Sequence, residues 1–330
     1  MKIRNTTKAN LLFLMLVLTM IGASLLLGVL MAAFGGENAN PAVETLLNDA
    51  SLVLSQLLMM IPALIYVTVM KAETVDDIKY GMIGARQFLL ILCVTVLIIP
   101  ITTVINYISS IGAPSTGEVM AMDFLQMPAW KSILYIALIP AVCEELLFRG
   151  FIYHGFRRRN KFVAIIMSSV LFGLLHMNIN QFAYATVMGI VFALVVEITG
   201  SLLSSIIIHF IFNAYNVGLA YMVLSMDELV NMDAVAGTDV STHIAIVICQ
   251  NIYEVVYIVG MAVVAVCLLV LVLRGLIKVS GAEDKVKEIF SKEGRKTYHE
   301  EGRTVDLFTI LALIPIILFM VIYEISIRIG

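Results

Sequence analysis

The sequence predicts an all-α fold, a polytopic membrane bundle of about eight to nine transmembrane helices. Composition is the first reason: 61% of residues are hydrophobic, 14% are charged and the mean hydropathy is +0.99. A soluble domain carries about 45–50% apolar and about 25% charged residues. No soluble fold buries that much apolar surface, so the solvent for most of the chain is lipid. The second reason is that apolar runs of spanning length, roughly 20 residues, recur along the 330 positions. The third is that basic and acidic connections alternate between those runs.

The runs fall near 9–34, 51–70, 88–108, 131–152, 162–178, 182–199, 202–224, 246–273 and 305–327. Ahead of the first stand Lys2, Arg4 and Lys8, and the uncharged stretch from Ala9 to Gly36 exceeds the roughly 7–15-residue core of a signal peptide. It reads as a retained spanning helix. In the fourth run Pro140 removes the amide that would bond the carbonyl of Ile136, which predicts a kink one turn before Glu144. Only Gly200 and Ser201 separate the seventh run from the sixth, a spacing open to a tight helical hairpin or to one bent element. The polar segment 278–304 carries Val286, Ile289 and Phe290 at helical spacing, open to a short surface helix or a solvated loop.

Three regions follow: N-terminal spans in 1–130, a core in 131–224, and C-terminal spans in 225–330 with the polar loop near 278–304. Lys and Arg collect at the start, around Lys71, Lys79 and Arg86, at Arg157-Arg158-Arg159 with Lys161, and from Arg274 to Arg303. The intervening connections carry Glu37, Glu44, Asp49, then Glu118, Asp123, then Asp227, Glu228, Asp233, Asp239. Because positive loops stay on the cytoplasmic side, the N-terminus is expected in the cytoplasm and the C-terminus outside, in the cell membrane.

Several classes drop out. A net charge of −3, with basic residues in short loops, gives no nucleic-acid surface. No repeat, Gly-rich phosphate loop or inverted pair of broken helices supports a transporter or an ATP-driven machine. Cys93, Cys143, Cys249 and Cys267 lie in or beside apolar runs without CxxC spacing and read as small core residues.

An ionisable group inside a spanning helix costs at least about 2.5–3.5 kcal/mol on insertion scales, so each one requires a partner or a task. Three runs concentrate them: Pro140-Ala141-Val142-Cys143-Glu144-Glu145-Leu146-Leu147-Phe148-Arg149, Phe172-Gly173-Leu174-Leu175-His176, and His209-Phe210-Ile211-Phe212-Asn213. Residues four apart share a helix face, while neighbours diverge by about 100°. Glu145 can therefore pair with Arg149, which leaves Glu144 turned elsewhere and available to a reacting group. His209 and Asn213 can aim donors at one spot, and Phe172 can pack against His176. The run boundaries put His176 toward the outer end of its helix and Glu144 and His209 nearer the cytoplasm, so that helix must start deeper or tilt for the three to meet.

Over roughly residues 130–224 these motifs resemble the CPBP family of membrane peptidases, also called the Abi or type II CAAX prenyl-endopeptidase family. Its pattern, EExxxR, FxxxH and HxxxN on separate helices, is present in full as Glu144, Glu145 and Arg149, Phe172 and His176, His209 and Asn213. The resemblance implies that Glu144 and His176 activate a water molecule and that His209 and Asn213 form an oxyanion hole. It also implies a structural role for Glu145, Arg149 and Phe172, no cofactor, and a peptide or membrane-associated protein as substrate at the lipid bilayer. Eukaryotic members trim prenylated proteins and bacterial ones are linked to bacteriocin processing, immunity and signal-peptide processing, so the substrate does not transfer with the fold.

Other readings compete. Glu144, His176 and His209 can in principle ligate zinc, although the HExxH signature is absent. The same polar residues can serve a transport relay, helix association, or an inactive immunity or scaffold protein. Glu197 reads as interfacial, Glu254 as an intramembrane acid without a catalytic task, and Cys143 as packing. His154, His243 and His299 read as solvated.

Overall fold

The computed structural model describes residues 4–34, 41–70, 81–112, 127–227, 252–299 and 302–329. Helices α1 (Asn5–Phe34), α2 (Pro41–Thr68) and α3 (Ala85–Gly112) come first. A continuous helical run, α4, begins with Ala129–Ser132 and ends with Tyr153–Arg157. It is followed by α5 (Lys161–Leu175), α6 (Ile179–Thr199), α7 (Leu202–Asp227), α8 (Ile252–Ser280), α9 (Glu283–Phe290) and α10 (Leu307–Ile329). Each predicted apolar run overlaps one of these helices, the first residues of the run 246–273 lying outside the described ones.

Seven of them, α1, α2, α3, α6, α7, α8 and α10, are long and apolar enough to cross a membrane. The chain is thus an all-α, multi-pass membrane protein. Helix α5 has 15 residues, about 22 Å at the α-helical rise, and is shorter than a regular span. Helix α4 is long but irregular, because Ile133–Leu138 and Leu146–Ile152 are π-helical.

Local chemistry sets the joints. The Asn160 side chain accepts from the Val163 amide and starts α5, and the Asn178 side chain accepts from the Gln181 amide and starts α6. Gly200, at φ +67°, closes α6 in the left-handed conformation that favours glycine, so α6 and α7 form the tight hairpin rather than one bent element.

Burial divides between two clusters. One joins α1, α2, α4 and α5 with Ala312, Ile316 and Met320 of α10, and the other joins α3, α6, α7 and α8. Tyr184 of α6 packs against both. Outward faces stay apolar, as at Leu25, Val256, Tyr257, Val263 and Leu271, which suits contact with lipid. Cys93 and Cys267 are exposed there and Cys143 is half-buried, so the expectation of core cysteines fails for these. Cys249, His243 and the side chain of Glu254 lie outside the described residues, as do Lys71, Lys79, Glu118, Asp123, Asp233 and Asp239.

The polar segment after α8 is a helix docked on protein. Val286 packs on the second cluster, Ile289 is buried in the first, and the Phe290 ring meets Phe162 edge-on at 6.0 Å. Beyond α9, Asn160 Nδ2 donates to the carbonyls of Gly294 and Thr297 at 2.9 and 2.6 Å. The His299 amide donates to the Arg159 carbonyl, and the Arg159 guanidinium lies 4.2 Å from the Tyr298 ring centre. Asn10 Nδ2 donates to the Thr304 carbonyl at 3.2 Å, while Ser201 Oγ donates to the Gly81 carbonyl at 2.7 Å. Lys285 Nζ donates to the Glu197 carbonyl at 2.9 Å, so the start of α1, the stretch leading into α3, the α4–α5 turn, the α6–α7 turn and residues 283–299 and 302–304 share one end of the bundle.

Two expectations at that end are corrected. Glu197 is buried, not interfacial: Arg157 grips it with Nε and Nη2 at 2.7 and 2.8 Å, and the Tyr153 hydroxyl donates to it at 2.6 Å. Arg157 and Tyr153, one helical turn apart on α4, converge on a single carboxylate that sequence spacing cannot reveal. His154 is buried rather than solvated, with Nδ1 2.8 Å from the Arg149 carbonyl. That position follows from the π-helical stretch before it, which changes the face on which residue 154 emerges.

Candidate active site

The two carboxylates of α4 sit at the end of a short regular α-helical stretch, Ile139–Glu145, bracketed by the π-helical ones. A π turn closes i→i+5 rather than i→i+4 bonds and is enriched at functional sites. The helix is π-helical on both sides of the segment that carries Pro140 and the glutamate pair. The carbonyl of Ile136, which loses the amide of Pro140 as an i→i−4 partner, accepts from Asn213 Nδ2 at 3.3 Å.

Glu145 and Arg149 pair as their spacing predicts, with Oε1 2.8 Å from Nη1 and both side chains fully buried. Glu145 Oε1 is also 3.1 Å from His209 Nδ1 of α7. The other imidazole nitrogen, Nε2, lies 4.0 Å from Glu144 Oε2. One imidazole thus stands between two adjacent carboxylates. Of the two, Glu144 is the accessible one, at 13% side-chain exposure against 0% for Glu145.

His176 lies just past the last residue of α5, where its Nδ1 is 2.9 Å from the Phe172 carbonyl. A carbonyl only accepts, so Nδ1 carries the hydrogen, and in the neutral ring Nε2 is left as a bare acceptor. The Phe172 ring then joins the motifs. It meets His176 edge-on at 5.1 Å, His209 edge-on at 5.9 Å and the Arg149 guanidinium at 4.3 Å. The shared ring links His176 to His209.

Glu144, Glu145, Arg149, Phe172, His176 and His209 form one connected cluster among the described residues. Asn213 lies one turn further along α7 and meets α4 at Ile136. His209 and Asn213 therefore face the same helix but contact different atoms. No group of three or more His, Cys, Asp or Glu placed to hold a metal ion occurs among the described residues.

Two residues of α6 complete the cluster and carry no sequence signal beyond apolar composition. Phe192 is fully buried and stacks on His209 at 5.3 Å and 28°, with the Arg149 guanidinium 5.1 Å from its ring centre. Gly189, three residues earlier on the same face, admits Arg149: a Cβ there would lie 2.9 Å from Nη2 and 2.9 Å from the Ser169 Cβ.

Residues 126–215 match the family described as "Type II CAAX prenyl endopeptidase Rce1-like". The chain is also 27% identical over 110 residues to "Putative membrane peptidase YdiL" of Bacillus subtilis (strain 168), covering 33% of this chain and 45% of the relative. The alignment thus spans less than half of that relative. No solved structure matches the chain significantly. The matched segment contains all three motifs and bears out the CPBP resemblance; together these likenesses support a membrane peptidase.

Proposed function

We propose that this chain, which carries a CPBP-type segment within a multi-pass membrane protein, is an intramembrane glutamate-dependent endopeptidase. Its substrate class is a peptide or the tail of a membrane-associated protein. The observation that carries the reading is the division of labour between adjacent carboxylates: Glu145 is locked by Arg149 and His209, while Glu144 stays partly exposed beside the same imidazole.

A water molecule held by Glu144 and by the acceptor Nε2 of His176 loses a proton to Glu144 as its oxygen attacks the scissile carbonyl carbon. The C–N bond then breaks, and Glu144 returns the proton to the leaving amine. The tetrahedral oxyanion requires donors. Since His209 directs Nδ1–H at Glu145, its contribution to the oxyanion comes from its other nitrogen, Nε2. Asn213 has a second amide hydrogen beyond the one it gives to Ile136, and that hydrogen is its contribution. Residues 131–224 are the catalytic core, flanked by the spans of 1–130 and 225–330. The bundle end that gathers the basic clusters faces the cytoplasm of the cell, with the N-terminus there and the C-terminus outside.

The test compares peptides released by cells carrying the wild-type chain with those from Glu144→Ala, followed by cleavage of the identified peptide by purified protein. A peptide that disappears in the variant names the substrate. Equal cleavage by wild type and Glu144→Gln would overturn the reading.

A further inference from the structure

The three motifs leave the orientation of the His209 ring underdetermined. Its bond to Glu145 fixes one atom, and an imidazole held at one nitrogen still turns about that contact. The neighbouring rings remove this freedom. Phe172 presents an edge at 84°, while Phe192 lies nearly parallel at 28° and covers one face of the imidazole.

We infer that Phe192 is a positioning residue whose ring face fixes the plane of His209, so that Nδ1 meets Glu145 while Nε2 faces Glu144 and the reacting carbonyl. The inference rests on the peptidase reading for what Nε2 does, but the ring geometry stands apart from it. The same ring borders the Arg149 guanidinium, so Phe192 and Phe172 each contact both partners of Glu145, Arg149 and His209. The charged and titratable groups around the imidazole are Glu144, Glu145 and Arg149 from α4 and His176 from α5, the last across the Phe172 ring. Glycine at 189 lets α6 come close enough for this stack to form.

A space-filling role and a positioning role make different predictions. Cyclohexylalanine incorporated at 192 keeps the ring's bulk without its π face, Phe192→Leu removes the ring, and Phe192→Tyr keeps it. Each is prepared in lipid nanodiscs and read by melting, by kcat and KM on the identified peptide, and by the ¹⁵N resonances of the His209 ring, assigned through their loss in His209→Gln. With Phe192 or Tyr, the His209 Nδ1–H held by Glu145 gives a sharp ¹⁵N-coupled proton signal protected from exchange with water. With cyclohexylalanine or Leu the ring turns away from that bond and the signal broadens, and kcat falls about 10- to 100-fold with KM little changed. A wild-type spectrum and turnover with cyclohexylalanine would reduce Phe192 to packing and overturn the inference. If instead Glu144→Gln cleaves like wild type, the peptidase reading fails, and the His209 spectrum still decides the role of the ring.

Discussion

His209 Nδ1 lies 3.1 Å from Glu145 Oε1, the same oxygen that Arg149 holds at 2.8 Å. A single buried atom therefore fastens α7 to α4 and balances the charge of α4 itself. The neighbouring Glu144 is spared that duty. Glu144→Gln keeps size but cannot take a proton from water, so purified protein is expected to melt as wild type and to cleave at background rate. Glu145→Gln strands Arg149 as a buried cation, a change of about 3–5 kcal/mol for such pairs, so expression and melting temperature fall together with rate. Equal melting curves for the two variants would show that the pair is not divided in this way.

Removal of a donor aimed at the oxyanion separates chemistry from helix association. His209→Ala and Asn213→Ala are each expected to lower kcat by about 10²–10³-fold while the protein remains inserted. Asn213→Ala also frees the Ile136 carbonyl beside Pro140, so it is expected to melt earlier than wild type. Near-normal turnover in both variants would leave them as polar contacts between α4 and α7.

Gly189→Ala adds one methyl group against Arg149 Nη2 and Ser169, both in the buried core of the site. The expected loss is about 1–3 kcal/mol, the usual cost of overpacking, read as a lower melting temperature. Gly218→Ala serves as the control, because a Cβ there meets nothing within 4 Å. Indistinguishable melting of the two would show that α6 can move away from Arg149 without loss.

The orientation is checked with single added thiols. Cysteines placed at Arg158 and at Lys292, which lie at the same end of the bundle, are expected to react only with a reagent that has entered the cell. Labelling of either from outside would invert the topology.

Much of this was legible in the sequence because lipid leaves few options. Each apolar run of sufficient length becomes a helix, and charges are tolerated inside one only with a partner, so Glu145 with Arg149 and Phe172 with His176 follow from spacing. Contacts that cross between helices were not legible. The spacing of His209 and Asn213 gives no sign that Glu145 holds His209 Nδ1 or that Ile136 holds Asn213. Glu197 lies at the end of an apolar run and reads as interfacial until Arg157 and Tyr153 close over it. Phe192 is one aromatic residue among many, and only the approach of α6 at Gly189 turns it toward an imidazole.

The two π-helical stretches of α4 give the site an unusual dependence on chain length. Each is equivalent to one inserted residue taken up without breaking the helix, and one residue amounts to about 100° of rotation. The stretches thus act as phase shifters, letting the middle of α4 show its glutamates to α7 while the far end shows Tyr153 and Arg157 to Glu197. Loss of a single codon between Leu146 and Ile152 would reset that phase and part Arg157 from Glu197, although nearly every side chain would survive. A deletion scan should therefore find in α4 a region tolerant of conservative replacement yet intolerant of shortening, with the damage felt at both ends of the helix at once.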